Sequence, residues 1–345
     1  MDWVRGESLG RGTFATVNLV LPKGASNSTL FPSPTAVKTS EVSTSYTLKN
    51  ERHVLDCLGS CQQMIRCFGD DYTFENGHEY YNLFLEYASA GTLADQVKFH
   101  GGRIPELNIR GYTRSIVEGL NHIHSNGFVH CDIKLQNILV FHDGEIKIAD
   151  FGLAKKSGEE QSEKQRFECR GTPLYMSPES VIHGEHESPA DIWALGCAMV
   201  EMMTGKPAWN IEKDSNMLSL LLQIGTGEKS PMIPEDLSKE GKDFVEKCLV
   251  KDPRKRWTAE MLLNHPFIED VKNVNEPSPR NHFDFNDWVS SVGDAAPSSP
   301  EYEELCQWDF DYCSCLAADR LRQLVTVELP VSWSESDSWI NVRSE

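Results

Sequence analysis

The apolar residues of this chain change period partway along, and that change limits the fold more than any other feature. Over the first 90 residues the pattern is that of strands. Thr16-Val17-Asn18-Leu19-Val20-Leu21 alternates, Thr35-Ala36-Val37-Lys38 is a second short stretch, and Tyr81-Asn82-Leu83-Phe84-Leu85 a third. Pro22 to Pro34, rich in Gly, Ser, Asn and Pro, predicts a hairpin loop between the first two. One helix is expected among these strands, capped within Ser43-Thr44-Ser45 and carrying Leu48, Leu55 and Leu58 on one face. After residue 104 the spacing lengthens to three or four. Ile109, Tyr112, Ile116, Leu120 and Ile123 form one helical stripe stopped by Asn126-Gly127, and Ile192, Leu195, Met199 and Met202 form another that ends at Gly205. A small strand-rich part followed by a larger helical part predicts an α+β fold with two lobes.

Charge and composition exclude several functions. The chain has 345 residues, with 33 Lys and Arg against 52 Asp and Glu, a net charge of −19. Nucleic-acid and anionic-membrane surfaces need clustered cations, so neither partner is expected. No run approaches 18 apolar residues, and Met1-Asp2-Trp3-Val4-Arg5 lacks the layout of a secretory leader. A cytoplasmic or nuclear protein is expected. Ten cysteines occur without a single CxxC pair, which argues for reduced thiols rather than a disulfide frame or zinc site.

Composition shifts near residue 270. From Val271 onward there are five basic and fourteen acidic residues, with Pro277, Pro279, Pro297 and Pro300 in Ser-rich surroundings. Residues 269–345 therefore read as a regulatory tail with little core, partly disordered. It nevertheless holds Trp288, Trp308, Trp333 and Trp339, half of the eight tryptophans. Aromatic residues among acids, as in Phe283-Asp284-Phe285-Asn286-Asp287-Trp288, suit recognition of regulatory partners or packing on the chain's own larger lobe.

Several segments carry chemistry. Leu9-Gly10-Arg11-Gly12-Thr13-Phe14-Ala15-Thr16-Val17 is a Gly-rich turn whose backbone amides can approach phosphates, although alone it also fits an ordinary hairpin. Lys38 ends a strand. Glu51 sits on the apolar stripe of its helix, where a carboxylate needs a cation, and Lys38 is the obvious partner. Val129-His130-Cys131-Asp132-Ile133-Lys134-Leu135-Gln136-Asn137-Ile138-Leu139 places a carboxylate, an ammonium and a carboxamide within six residues. Asp132 can accept a hydroxyl proton, and Lys134 can neutralise a phosphoryl oxygen. Asn137 with Asp150 of Ile148-Ala149-Asp150-Phe151-Gly152 makes a hard-oxygen pair suited to Mg²⁺.

Together these segments resemble the signature set of the eukaryotic protein kinases, in the family's order and over about residues 3–268. Gly171-Thr172-Pro173-Leu174-Tyr175-Met176-Ser177-Pro178-Glu179 resembles the substrate-binding loop, and Asp191 to Gly196 the buried central helix. Arg256 resembles the partner of Glu179, and His265-Pro266-Phe267 the closing helix. Lys134 and Gly171-Thr172-Pro173 resemble serine/threonine kinases, and His130 to Lys134 with the Gly-rich turn resembles the short plant MAP kinase kinase kinases of the MEKK-like group.

The resemblance implies a bilobal kinase fold, with a small lobe over about 3–87 and a large one over about 88–268. It implies ATP and Mg²⁺ as cofactors, and MAP kinase kinases as substrates in stress or hormone signalling. ATP would lie under residues Leu9 to Val17, its adenine between Val17, Ala36 and Leu139. Glu86 and Ala88 would offer backbone hydrogen bonds, with Leu85 behind. Lys38, held by Glu51, would contact phosphates; Asp150 and Asn137 would bind the metal; Asp132 and Lys134 would act on the reacting groups.

Two residues depart from the family pattern. Ala15 stands for a third glycine, and Cys131 for the Arg that often grips a loop phosphate. Phosphorylation of Ser157 or Ser162 is expected to order the loop through Lys155, Lys156, Lys164 or Arg166, with only modest dependence given Cys131. Thr172 is expected to be structural or substrate-facing. A kinase-fold scaffold would be signalled by loss of Lys38, Asp132 or Asp150, and a metabolic small-molecule kinase would not need the Gly171–Glu179 ledge.

Overall fold

The structure, a computed structural model, describes residues 3–12, 15–23, 34–159, 170–209, 217–227 and 230–269. Expectations for Thr13, Phe14, Ser162, Lys164, Arg166 and the tail with its four tryptophans fall outside these residues, as does most of the Pro22–Pro34 loop.

The small lobe is an antiparallel sheet of β1 (Trp3–Arg11), β2 (Thr16–Pro22), β3 (Thr35–Glu41), β4 (Cys67–Glu75) and β5 (His78–Glu86), in the order β1-β2-β3-β5-β4. Its register sets the two faces. Val17 lies opposite Lys38, and Lys38 opposite Leu83, while Ala36 lies opposite Leu85. That face looks into the cleft. Val37 and Phe84 share the other face, where Trp3 meets Phe84 edge to face at 5.1 Å. The sequence pattern shows no strand before Thr16. β1 escapes it because its pairing with β2 shifts register between Arg5 and Ser8 and again between Ser8 and Gly10, so no alternation survives.

Helix α1 (Tyr46–Leu58) buries Leu48, Leu55 and Leu58, together with Glu51. The expected side-chain cap is absent. A 3₁₀ turn over Val42–Thr44 leads into the helix, and Ser45, at φ −79° and ψ 9°, donates its hydroxyl to the Val42 carbonyl at 2.9 Å. With its backbone already turned towards helix, its oxygen does not reach the first-turn amides.

The large lobe contains α2 (Leu93–Phe99), α3 (Glu106–Ser125), α4 (Pro178–His183), α5 (Ser188–Thr204), α6 (Met217–Thr226), α7 (Lys239–Cys248), α8 (Ala259–Leu263) and α9 (Pro266–Glu269). α5 is the axis. Ile192, Trp193, Leu195, Met199 and Met202 are all fully buried, which a helix apolar on every side requires. It stops at Gly205, whose φ of +66° and close approach to the Gly102 carbonyl exclude a Cβ. Two small antiparallel pairs carry the loops of the site. β6 (Phe128–Val129) pairs with β9 (Lys155–Lys156), and β7 (Ile138–Val140) pairs with β8 (Ile146–Ile148). None of the described helices is long and apolar enough to cross a membrane. The six described cysteines are free.

Candidate active site

A cleft of about 520 Å³ separates the lobes. Leu9, Val17 and Ala36 line it from the sheet, Leu139 from β7, and Leu85, Glu86 and Ala88 from the crossing segment; Lys38, Glu51, Asn137 and Asp150 are at its polar end. Gly10 and Arg11 pair with Val17 and Thr16, and Gly12 N–H closes the turn on the Ala15 carbonyl at 2.8 Å. Ala15 packs its methyl with Leu48 and Tyr81. The alanine thereby ties the Gly-rich turn to α1. Glu86 carries an ion pair that sequence spacing does not reveal. Both carboxylate oxygens accept from Lys147 Nζ, at 2.8 and 2.9 Å, and the ammonium lies 4.7 Å from the centre of the Phe141 ring.

Lys38 meets two carboxylates. Its Nζ is 2.7 Å from Glu51 Oε2 and 2.9 Å from Asp150 Oδ1. Burial opposes the Lys38 ammonium, but Asp150 and Glu51 outweigh it and its pKa is raised. Burial pushes the Glu51 carboxyl up, with Lys38 opposing and Asp150 adding to the push. For Asp150, burial is overcome by Lys38, with help from Lys134 and His130, and the carboxyl is held below its ordinary value. Asp150 reaches this position at a left-handed φ of +65°, unusual for a side-chain-bearing residue. Glu51 also accepts from the Phe151 amide at 3.3 Å, so the helix holds the segment that presents Asp150.

Asp132 lies in a hydrogen-bonded network. Thr172 Oγ1 donates to Asp132 Oδ1 at 2.7 Å, and Lys134 Nζ donates to Thr172 at 2.9 Å while standing 3.2 Å from Asp132 Oδ2. Asn137 Nδ2 donates to Asp132 Oδ2 and to the Asp132 carbonyl, each at 2.9 Å. Thr172 thus bridges the carboxylate and the ammonium. Before it, Gly171 at φ +99° would place any Cβ 2.4 Å from the Cys131 carbonyl, so only glycine fits there.

The loop backbone is fixed from below. Asp191, at the start of α5, accepts from the amides of His130 (2.8 Å) and Cys131 (2.9 Å) and sits 2.9 Å from His124 Nε2. Despite complete burial its carboxyl is held below the usual range by His124 and by the charge and amide of His130. His130 packs on Phe151 at 4.8 Å, linking the two loops. Thr172 as a bridge and Lys147 as the partner of Glu86 were not legible as site residues, because Thr172 meets Lys134 and Asp132 across 38 and 40 positions of sequence and Lys147 meets Glu86 across 61.

The donor set fits a divalent cation. Asn137 spends its amide nitrogen on Asp132, which leaves Oδ1 buried without a hydrogen-bond partner among the described residues. An orphaned carboxamide oxygen beside a carboxylate suits a hard cation. No cluster of three or more His, Cys, Asp or Glu that could hold a metal occurs among the described residues. Two protein oxygens do not enclose an ion, so a cation here would need further ligands from outside these residues.

The protein kinase domain family matches residues 3–268. The chain is 49% identical to mitogen-activated protein kinase kinase kinase 20 of Arabidopsis thaliana over 99% of this chain and all of that protein. It is 41% identical to kinase kinase kinase 18 of the same plant over 99% of both chains. It is 42% identical to kinase kinase kinase 17, over 79% of this chain and 71% of that one.

Proposed function

The chain belongs to the protein kinase family, as an ATP-dependent serine/threonine kinase of the mitogen-activated protein kinase kinase kinase type, and from that premise we propose which residues perform the transfer and on what. The Asp132 network carries the reading. Asp132 orients the substrate hydroxyl and takes its proton, and Asn137 and Thr172 hold the carboxylate in place for that task. Lys134, adjacent to that carboxylate, steadies the transferring phosphoryl group. Lys38, positioned by Glu51, orients the α- and β-phosphates of ATP. The aliphatic walls at Val17, Ala36 and Leu139 take the adenine, with Glu86 and Ala88 offering backbone hydrogen bonds. Asp150 and Asn137 hold Mg²⁺, which when bound neutralises charge on the phosphates. No member of the set needed for transfer is missing, and nothing favours a scaffold role.

The substrates are serine or threonine residues of MAP kinase kinases, in stress or hormone signalling. The test is Asp132→Asn. It should lower kcat on a panel of MAP kinase kinases by about 10³-fold or more while leaving the ATP Kd within a few-fold, because Asp132 acts on the hydroxyl. Wild-type turnover in that variant would sink the assignment.

The catalytic unit spans residues 3–268, and the tail selects partners in the cytoplasm or nucleus. The likeness to kinase kinase kinase 20 runs through the tail, and its aromatic-acid segments suit short recognition. Residues 1–270 alone should fold and retain kcat within about threefold, with partner binding lost; that threefold bound reflects a tail outside the chemistry. An insoluble or inactive truncation would show that the tail is part of the fold.

A further inference from the structure

The segment after Asp150 begins with a junction that nothing in the catalytic assignment uses. Glu187, immediately before α5, gathers three donors from residues 155–158. Lys155 Nζ donates to Oε1 at 2.8 Å, Ser157 Oγ to Oε2 at 2.5 Å, and Gly158 N–H to both oxygens at 3.2 and 3.1 Å. Burial is outweighed by these partners, and the carboxyl is held low. Lys155 also donates to the Lys156 carbonyl at 3.0 Å. The Ser157 amide bonds the Gly127 carbonyl at 2.8 Å, and β9 pairs Lys155 with Val129. Val129 directly precedes His130, Cys131 and Asp132. Glu187 thus already occupies the position of an anion at the start of the loop, in a chain where Cys131 stands in place of Arg.

We propose that Ser157 is a phosphorylation site that switches the kinase off, by expelling the segment from Glu187. This reverses the sign expected from sequence, where a phosphate at Ser157 would recruit Lys155 and order the loop. In the structure Lys155 is taken by Glu187, and Ser157 supplies a donor that a phosphate lacks. Ser157 is exposed and therefore open to a protein-serine kinase, including a second copy of this chain. Transfer breaks the bond between the γ-phosphorus of ATP and its bridging oxygen. It forms the bond from Ser157 Oγ to phosphorus and releases ADP, and the hydroxyl proton passes to the catalysing kinase's carboxylate. The product bears close to two negative charges against the Glu187 carboxylate. Repulsion there and competition for Lys155 loosen β9 from β6, and with it the strand that feeds Asp132. The proposal rests on the kinase reading of this chain and of Asp132.

The test uses the full chain and kcat/KM for a MAP kinase kinase. Ser157→Ala should stay within about threefold of wild type. Ser157→Glu and a protein carrying phosphoserine at 157 should each fall by about tenfold or more, since a like charge is introduced at hydrogen-bond distance. Glu187→Gln in the Ser157→Glu background should restore activity to within about threefold, because the introduced carboxylate can then take Lys155. A structural defect would not be repaired by removing a second charge. Unchanged activity of the phosphoserine protein, or failure of Glu187→Gln to rescue, would overturn the proposal. Loss of the Asp132→Asn phenotype would instead strike the kinase reading.

Discussion

Each lobe buries a cation against a glutamate, and the two pairs are built for opposite ends. In the large lobe Arg256 lies against Glu179 with bidentate contacts of 2.6 and 3.0 Å. The remaining donors go to the carbonyls of Pro189, Val250 and Lys251, so all five N–H groups are used, and Trp193 covers the guanidinium at 5.1 Å. Every donor in that arrangement is committed. In the cleft, Lys38 is shared between Glu51 and Asp150, and Asp150 remains about one third exposed. An ammonium is a point charge that exchanges partners, whereas a guanidinium fork is committed to one. The same pairing therefore locks the scaffold in one place and leaves a movable charge in the other.

The sharpest way to break this comparison is to remove the acid from each pair. Glu179→Gln leaves a buried cation that cannot lose its proton, and should cost about 3 kcal/mol of stability in urea denaturation. Loss of less than about 1 kcal/mol would mean that the carbonyls, not the carboxylate, hold Arg256. Glu51→Gln should behave differently, because Lys38 keeps Asp150 at 2.9 Å. Its stability should change by less than about 1 kcal/mol, while kcat/KM falls by about 10- to 100-fold as Lys38 collapses onto Asp150. Equal stability losses in the two variants would erase the distinction.

Legibility in sequence follows the same divide. Glu51 announces itself, because a carboxylate on an apolar stripe demands a nearby cation and Lys38 is only 13 positions away. The helices of the large lobe are legible for a related reason: α5 is apolar on every side and ends on a glycine. Asp150 as a second partner of Lys38 is not legible. It depends on a left-handed backbone at a residue other than glycine, 112 positions away. Thr172 reads as structural or substrate-facing, and the structure gives it a definite contact between Asp132 and Lys134. Ser45 marks the right position but the wrong bond, since local backbone angles decide whether a hydroxyl caps a helix or turns back on its own chain.

The smallest effect probes whether Lys38 and Asp150 form a true ion pair, and it appears in the pH dependence of stability. Glu51 titrates too and is pushed the other way, so the comparison is cleanest in the Glu51→Gln background. There Asp150 still faces Lys38 at 2.9 Å. An unfolded Asp titrates near its ordinary value of 3.8, and in the folded chain Asp150 is held below it, with Lys38 overcoming burial. A carboxyl depressed in the folded state contributes stability that is complete above the unfolded value and drains away as pH falls through the folded one. The difference in unfolding free energy between Glu51→Gln and Glu51→Gln/Asp150→Asn, read without nucleotide at fixed ionic strength, should therefore move steadily against the Asp150-bearing protein from pH 5 to pH 3. With the metal role proposed for Asp150, Asp150→Asn should also weaken Mg-ATP binding, because a ligand's charge would be lost. A pH-independent difference would mean that the 2.9 Å contact carries no net interaction.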